Sequence, residues 1–465
     1  MRRLLGAALA MATALAGPQA WGADALRAGA DAVRDQALKD STAYKVVESI
    51  STDVGPRLAG SEAAARARDW GVATLRTLGF SNVHVEPFPI TAWSRGPESA
   101  ALTAPYPATL AIIGLGGSVP TPVEGIEAEA VVFRAYADLL AAAPGSLSGK
   151  IAVVTQGMTR TQEGSGYGAA NPMRRSGASE AARRGAIGYL VRSLATGASR
   201  EPHTGALNYA ADAPKIPAAA LSVIDAQTLE RLAARAAPLR IRLKLSSSTA
   251  PATAWTVVGD IPGTVHPEQV IILGGHLDSW DPGTGSIDDG AGIAIAVAAA
   301  RLAGDPSHPP RRTLRVAMFG AEEMDFSNAA FTAAHRDEVK NIVAISETDE
   351  GADNVWSVQL PPGAAGLPEM RTLAASLADL KIFMSPEAAR FGGSDIAGLV
   401  AAGAPLVNFR QDASRYFDWH HSSEDTLDKI DPAQLNQNVA AWAAFLYIMG
   451  QSDVTFTPPG PATKP

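Results

Sequence analysis

The sequence predicts an α/β protein: a three-layer α/β/α sandwich around a mixed sheet, interrupted by a β-rich insert. Strand-like apolar runs and helical patterns alternate from Trp255 onward, which is typical of layered α/β folds. Between residues 97 and 250, short apolar runs follow one another between Gly and Pro turns, with only one or two helical patterns. The 465 residues also exceed what one core usually supports. We therefore expect one domain at 23–96 and 251–452, an insert at 97–250 and a disordered tail at 453–465.

The individual elements follow from local periodicity. Before the insert, the spacing of apolar residues predicts helices at 35–48 and 62–78 and a strand at 83–89. Within it, apolar runs predict strands at 109–117, 128–136, 150–157, 186–193 and 239–245. Beyond it, we expect strands at 270–273, 314–319, 342–346, 356–360 and 406–409. The helices expected in this part lie at 291–303, 329–338, 370–377, 395–402 and 432–449.

The first 22 residues have the pattern of an export signal. Arg2 and Arg3 precede a short apolar run, and Ala20 and Gly22 are small residues suited to cleavage before Ala23. The run is shorter than the ~20 residues that a membrane helix needs. We therefore expect export to the periplasm or the medium, without a membrane span. The alternative interpretation is a buried N-terminal helix.

Composition excludes several classes of partner and site. The net charge of −8, with no basic stripe, argues against a nucleic-acid partner, because phosphate binding relies on clustered Lys and Arg. The chain has no cysteine, so it has neither a disulfide framework nor a thiolate that could bind a metal.

Acidic and His residues gather where the predicted strands of the second half end. The segments are HLDSWD (276–281), SIDDGAG (286–292), AEEMD (321–325), SETDEG (346–351) and WHHSSEDT (419–426). Open α/β sheets bind ligands beyond the carboxyl ends of their strands, so we expect these segments to meet in one crevice.

So many neighbouring carboxylates would repel one another unless a cation neutralised them. Imidazole and carboxylate without thiolate suit zinc or a related divalent metal. Two His and three or four carboxylates are more ligands than one catalytic zinc binds. Two metals that share a bridging carboxylate would bind the additional ligands. The alternative is that Asp288 and Asp289 only cap a helix and that Glu322 and Glu323 lie on a solvated loop.

These five motifs resemble, in order and approximate spacing, those of the co-catalytic zinc aminopeptidase family. GPRLAGS near residue 55, PHTG at 202–205 and PKIP at 214–217 extend the resemblance from about residue 45 to 450. In this family the insert is a protease-associated domain, so the resemblance implies one at 97–250.

The resemblance also implies roles for individual residues. It assigns two zinc ions per chain to five ligands: His276 and Asp349 on one ion, Glu323 and His421 on the other, and Asp288 as the bridge. It implies a cis peptide between Asp288 and Asp289. It makes Glu322 the general base that takes a proton from a metal-activated water. Asp278, two residues from His276, would orient that imidazole.

Three assignments stay open at this point. Glu347 competes with Asp349 as the ligand, because it lies two residues away on the same strand face. Some relatives have a Tyr at the position of Phe391, and that Tyr helps to hold the oxyanion. His420 is a candidate for this role here; alternatively, His420 is only a structural neighbour of His421. Of the remaining His residues, His203 in PHTG is the one expected to approach the site.

The resulting functional hypothesis is an exported exopeptidase that hydrolyses dipeptides or small peptides, with the insert walling one side of the cleft. The resemblance suggests a homodimer, although no interface is readable in the sequence. The rival interpretations are a plain aminopeptidase, a glutaminyl cyclase with a single zinc, and a binding protein of the same fold that lost catalysis.

Overall fold

The computed structural model describes residues 22–235 and 238–456. Before the predicted insert, the elements are helices α1 (Ala23–Ala37), α2 (Thr42–Ser49) and α3 (Glu62–Thr77), followed by strand β1 (Ser81–Ala104). The helix predicted at 62–78 is confirmed. The helical pattern at 35–48 is divided between α1 and α2, which are separated by a turn at residues 38–41.

Residues 105–261 contain both helices and strands. The strands are β2 (Ala108–Leu110), β3 (Ile112–Gly114), β4 (Ile126–Phe133), β5 (Ile151–Val154), β6 (Gly188–Arg192), β7 (Ala218–Leu221) and β8 (Arg240–Ile261). The helices are α4 (Tyr136–Ala141), α5 (Ser165–Arg175), α6 (Gly177–Arg183) and α7 (Val223–Ala233).

The strands expected in the insert are present, but in the described residues four helices lie between them, more than the one or two that the sequence indicated, so the segment has α/β character. Strands β4 to β7 are parallel neighbours, and apolar clusters cover both faces of their sheet. Helix α5 escaped the sequence analysis because Gly, Asn and Pro interrupt its apolar spacing. The assignment of the insert to the protease-associated domains stays a prediction.

The last part of the chain follows the predicted alternation. Its strands are β9 (His266–His276), β10 (Arg312–Phe319), β11 (Ile342–Glu347), β12 (Val355–Gln359), β13 (Phe383–Met384) and β14 (Asn408–Gln411). Its helices are α8 (Ala291–Ala303), α9 (Ser327–His335), α10 (Pro368–Ala378), α11 (Ala397–Ala401) and α12 (Pro432–Gln451).

One large mixed sheet runs through both parts of the molecule. Its strand order is β11-β9-β10-β8-β4-β5-β6-β7-β3, and β1 pairs with β8. Strands β9, β10 and β11 are parallel, whereas β8 is antiparallel to its neighbours β10 and β4. The predicted strands at 356–360 and 406–409 correspond to β12 and β14, which form a separate small sheet with β13.

Alternation along the central strands produces the layers. Ile271 and Leu273 of β9 belong to the apolar cluster that contains α1, α8 and α12, whereas Val270 and Ile272 belong to the cluster that contains Phe331 of α9. Successive strand side chains point to opposite faces, so helices cover both sides of β9 and β10. This part of the molecule is thus an α/β/α arrangement around a mixed sheet, as predicted.

A long antiparallel pair joins the insert to the rest of the chain. Strands β1 and β8 are paired from Ser81 with Asp260 to Ala104 with Arg240. The predicted boundaries at 96/97 and 250/251 fall inside these two strands, where Arg95 is paired with Ser247. Because paired strands cross the boundary, the insert is held in place by sheet hydrogen bonds rather than by loose linkers.

The structure describes only part of the two chain ends. Residues 1–21 of the predicted leader and residues 457–465 of the predicted tail lie outside the described residues. Within the predicted tail, the described residues 453–456 pack against the fold: Val454 and Phe456 are buried, and the Val454 carbonyl accepts a hydrogen bond of 2.6 Å from Arg312. Among the helices of the described chain, none is long and apolar enough to cross a membrane.

Candidate active site and metal centre

The carboxyl ends of three parallel strands deliver most of the predicted site residues. β9 ends at His276, β11 ends at Glu347, and the Glu322–Glu323 pair follows the end of β10. Parallel strands end at the same edge of a sheet, so these side chains come together. A cavity of about 430 Å³ opens at this edge, and residues from both parts of the chain line it, including 163–175 of the insert.

The loop that carries Asp288 is held from two sides. The Asp289 carboxylate accepts hydrogen bonds from the backbone N–H of His276 at 2.8 Å and of Gly292 at 3.0 Å, and thereby ties the end of β9 to the start of α8. Asp425 accepts the N–H groups of residues 286 and 287 at 2.8 and 2.7 Å. The peptide bond between Asp288 and Asp289 is cis, as the resemblance implied.

The first candidate ligand group consists of His276, Asp288 and Asp349. His276 Nε2 lies 3.0 Å from Asp288 Oδ1 and 3.5 Å from Asp349 Oδ1. The other ring nitrogen, Nδ1, lies 2.9 Å from the backbone carbonyl of Asp278. If Nδ1 donates to that carbonyl, Nε2 keeps its lone pair and is available to a metal.

The second candidate group lies on the other side of Asp288. His421 Nε2 is 3.2 Å from Asp288 Oδ2 and 3.0 Å from Glu323 Oε2. Each carboxylate oxygen of Asp288 therefore faces a different imidazole, the arrangement expected of a carboxylate shared between two cations.

His420 is adjacent to the same centre. Its Nε2 lies 3.5 Å from Asp288 Oδ2, and its ring stacks on that of His421 with 3.5 Å between centroids. Ligand atoms of Asp288, His420 and His421 all lie within 4.8 Å of one another, so geometry alone makes His420 a rival of Glu323 as a ligand.

Several buried groups fit a cation. Glu323 Oε1 and Asp349 Oδ1 are buried and accept no hydrogen bond within the described chain. Burial raises the pKa of Glu323 to about 8 and that of Asp349 to about 6, because desolvation penalises the charged carboxylate. A divalent cation would supply the missing positive charge and fill the unsatisfied oxygens, so the donor set suits a divalent metal.

Glu322 occupies a different environment from its neighbour Glu323. Its side chain lines the cavity, and its Oε1 accepts a hydrogen bond from the Ser394 hydroxyl. Its backbone N–H donates to Asp278 Oδ1 at 3.0 Å. The structure thus provides a positioned carboxylate beside, rather than within, the two candidate ligand groups.

Asp278 lies between His276 and Glu322, and its role in orienting the His276 imidazole stays a prediction. Its carboxylate lies 3.9 Å from His276 Nδ1, whereas its own backbone carbonyl is the close partner of that nitrogen. The carboxylate also holds the backbone of Glu322. The turn after β9 thus brings the Asp278 carboxylate to the loop that follows β10, while one of its oxygens stays within 3.9 Å of the His276 ring.

The structure also separates Glu347 from its rival Asp349. Glu347 is buried, and its Oε2 accepts the backbone N–H of Asp395 at 3.1 Å. In residues 22–235 and 238–456, no His nitrogen lies within 4.0 Å of the Glu347 carboxylate, whereas Asp349 is within that distance of His276. The geometry therefore favours Asp349 as the ligand.

The insert contributes contacts that the sequence analysis only partly anticipated. The PHTG segment does reach the site: the Thr204 carbonyl lies 3.3 Å from His421 Nδ1, and the Thr204 N–H donates to the His421 carbonyl at 2.9 Å. His203 is buried nearby, and burial lowers its pKa to about 4. No sequence signal indicated that α5 would line the cavity.

Comparison with known proteins places this site in a family context. Residues 256–446 match the model of peptidase family M28. Carboxypeptidase Q of Bos taurus is 35% identical over 408 residues, which cover 87% of this chain and 84% of that protein. A peptidase M28 precursor from Shewanella amazonensis SB2B has 37% identity and a TM-score of 0.92, and the superposition covers 94% of this chain and 100% of that one.

A more distant structure shares the fold. The zinc aminopeptidase BSAP from Bacillus subtilis superposes with a TM-score of 0.63 at 20% identity, covering 87% of this chain and 94% of that one. At this identity the match supports the architecture of the sheet and its helices and says nothing by itself about the ligands.

Proposed function

Because this chain belongs to peptidase family M28 and is therefore a metallopeptidase, we propose that it is an exported zinc exopeptidase of the carboxypeptidase Q type, acting on dipeptides or small peptides. The observation that carries the proposal is the arrangement around Asp288, whose two oxygens face His276 and His421 at 3.0 and 3.2 Å. The similarity to carboxypeptidase Q over most of the chain supports this choice among peptidases.

We assign two zinc ions to this centre. His276 and Asp349 would hold one ion, Glu323 and His421 the other, and Asp288 would bridge them. Imidazole and carboxylate donors without thiolate suit zinc, and a B. subtilis enzyme of the same fold is described as a zinc aminopeptidase. When bound, the metals supply Lewis acidity that polarises the scissile carbonyl and lowers the pKa of a water.

Glu322 is the proposed general base. It takes a proton from the attacking water on its carboxylate and passes it to the leaving amine, a role worth roughly 10²–10⁴-fold in rate. The Ser394 hydroxyl and the Asp278 carboxylate position this group by holding its Oε1 and its backbone N–H.

His420 is the proposed oxyanion contact. It lines the cavity and stacks on His421, so its ring has little freedom to move. Phe391, which stands where relatives have a Tyr, lines the same cavity with 67% of its surface exposed and has no polar group for this task.

The cavity supports cleavage near a chain end. Its volume of about 430 Å³ is closed on one side by residues 163–175 of the insert, which leaves room for a small peptide. Export is proposed from the leader pattern in residues 1–22, and a homodimer from the resemblance.

Two measurements test the proposal together. Elemental analysis of metal-loaded protein should give a ratio near two zinc ions per chain, and free dipeptides should be hydrolysed while folded proteins are not. One tightly bound zinc with no dipeptide hydrolysis would favour the glutaminyl cyclase alternative. Rapid cleavage of N-terminal residues from long peptides would make the chain an aminopeptidase, and metal binding without any hydrolysis would make it a binding protein.

A further inference from the structure

One wall of the cavity is formed by α5, which contributes Tyr167, Asn171 and Arg174 to the lining. These residues are four and three positions apart, so the helix presents them on one face. Asn171 Oδ1 is buried without a hydrogen-bond partner in the described chain. The face is therefore polar and only partly satisfied by the protein itself.

Arg174 is the notable member of this face because its charge is buried and no residue that the structure describes forms an ion pair with it. Its exposed fraction is 3%, yet in residues 22–235 and 238–456 no carboxylate oxygen lies within 4.0 Å of its guanidinium nitrogens. The next residue, Arg175, forms an ion pair with Asp325. A buried cation without a partner is unfavourable, which points to an anion supplied from outside the chain.

The hydrogen-bond donors of Arg174 are only partly satisfied by the described chain. Nη2 donates to the Tyr167 hydroxyl at 2.7 Å, but Nε is buried and has no partner among the described residues. The contacts of Nη1 are long, at 3.5 Å to the Thr204 carbonyl and 3.4 Å to His421 Nδ1. His421 Nδ1 cannot accept a hydrogen bond if it carries the proton that faces Thr204, so Nη1 has no good acceptor.

The position of Arg174 relative to the candidate metal centre indicates which anion it would bind. Arg174 contacts the Nδ1 side of the His421 ring, and the Nε2 side faces Asp288 and Glu323. The guanidinium is thus one imidazole ring away from the proposed metals. A residue spans only about 3.3–3.6 Å, so an anion at Arg174 lies about one residue from a scissile carbonyl at the metals.

We propose that Arg174, with Tyr167 and Asn171, binds the free α-carboxylate of the residue that follows the scissile bond. This inference rests on the proposed function and deepens it: the enzyme removes the last residue of a peptide, and a dipeptide is its smallest substrate. The planar guanidinium can donate two parallel hydrogen bonds to one carboxylate, whereas a lysine ammonium cannot form this bidentate pair. The Tyr167 hydroxyl and the Asn171 Nδ2 group supply further donors, whereas Asn171 Oδ1 is an acceptor and does not bind the carboxylate.

Gly205 of the PHTG segment makes room for this arrangement. A Cβ at this position would lie 2.2 Å from Arg174 Nη1, and the backbone has a φ of +135°, which L side chains rarely adopt. Glycine therefore lets the insert loop approach the guanidinium closely.

The test compares substrates with and without the carboxylate. Three substrates, Ala-Ala, Ala-Ala-amide and Ala-Glu-amide, are assayed with the wild-type enzyme and with the variants Arg174→Gln, Arg174→Lys and Tyr167→Phe. If Arg174 forms a hydrogen-bonded charge pair with the substrate carboxylate, Arg174→Gln should lower kcat/KM for Ala-Ala by about 10- to 100-fold. The same variant should lower kcat/KM for Ala-Ala-amide by less than about threefold. Arg174→Lys should restore part of the loss, because it keeps the charge without the fork. Arg183→Gln, which removes an exposed charge of α6 paired with Asp212, is the matched control.

The outcomes separate this inference from the proposed function. Equal losses on Ala-Ala and Ala-Ala-amide, or loss of zinc from Arg174→Gln, would overturn it and make Arg174 a support for His421. Preference for Ala-Glu-amide over Ala-Ala-amide would assign the site to an acidic side chain instead. Calorimetry of the metal-loaded protein should show binding of L-alanine but not of L-alaninamide, lost in Arg174→Gln. If no dipeptide is hydrolysed but this binding is found, the peptidase proposal fails and the carboxylate site stands; if no L-alanine binds, the carboxylate site fails.

Discussion

At the scale of single residues, Glu322 and Glu323 are chain neighbours in different surroundings. Glu323 is buried, contacts His421 at 3.0 Å and has an unsatisfied oxygen. Glu322 lines the cavity, and its carboxylate is held by Ser394. Such a difference allows one carboxylate to hold a metal while the other moves a proton.

This contrast leads to a prediction for the pair. Glu322→Gln should keep the folded state and the zinc content but lose about 10²–10⁴-fold in kcat, because only the proton acceptor is removed. Glu323→Gln should instead lower zinc occupancy, since a ligand carboxylate is lost. Zinc content by elemental analysis and kcat on Ala-Ala measure both effects. Indistinguishable behaviour of the two variants would contradict the division of roles.

At the scale of elements, an ion pair ties α9 to β1. His335 Nε2 lies 3.1 Å from Glu86, and Nδ1 lies 3.2 Å from Glu338, which also pairs with Arg315. Burial lowers the pKa of His335, but the hydrogen bond and charge of Glu86 outweigh it, so the pKa is raised overall. Burial raises the pKa of Glu86, and its bond to His335 outweighs this, so that pKa is lowered.

These shifts predict a pH-dependent contribution to stability. The raised pKa of His335 stabilises the fold below about pH 6.5, and this contribution disappears as the pH rises through the folded-state value. The lowered pKa of Glu86 contributes above about pH 4.5 and is lost as the pH falls. His335→Gln should therefore lower the free energy of unfolding most near pH 5.5, by about 1 kcal/mol, and less at pH 8.5.

Urea unfolding of wild-type and variant protein at the two pH values measures this difference. His266→Gln is the control, because the contacts of His266 with Glu268 and Asp453 are 3.8 and 3.6 Å long and lie at the exposed surface. A loss for His335→Gln that does not change between pH 5.5 and 8.5 would assign its effect to packing against Phe331 instead of charge.

At the scale of the whole molecule, the metal centre joins segments that are far apart in sequence. Its ligand candidates come from the end of β9, the loop before α8, the loops after β10 and β11, and the loop before α12. Among the described residues, the basic nitrogens within 4.0 Å of the carboxylates of Asp288, Glu323 and Asp349 all belong to imidazoles, whose charge does not match that of three carboxylates. Metal binding should therefore stabilise the whole fold.

Chelation tests this stabilisation. Removing zinc with EDTA should lower Tm by about 5 °C or more, since a ligand at 100 times its Kd contributes about 2.7 kcal/mol. Readdition of zinc should restore Tm and activity together. Glu323→Gln, with a weakened site, should show a smaller change on chelation. An unchanged Tm in wild-type protein would show that the metals contribute nothing to folding.

Export is also a property of the whole chain. We expect cleavage after Gly22, which leaves Ala23, the first residue of α1, at the mature N-terminus. N-terminal sequencing of active protein from the periplasm or the medium checks this. Protein that retains Met1 and is active inside the cell would contradict both the leader and the exported location.

The sequence alone determined the elements with strong periodicity and the acidic and His side chains that meet at the candidate site. The alternation from Trp255 onward predicted β9, β10, β11, α8 and α12, because their patterns are local and agree with their burial. The clustering of Asp, Glu and His at the ends of these strands predicted a shared crevice, because parallel strands end at one edge. The assignments to individual ions drew on the family resemblance.

Only the tertiary structure decided which groups meet. Three contacts join residues whose separation in sequence carries no local signal: Thr204 with His421, Asp278 with Glu322, and Arg174 of the cavity wall with His421. Helix α5 of the insert could not be predicted from local pattern, because Gly, Asn and Pro weaken its helical spacing. Packing in the folded molecule stabilises this helix nevertheless. Local periodicity therefore determines elements, whereas contacts across the sheet edge determine the site.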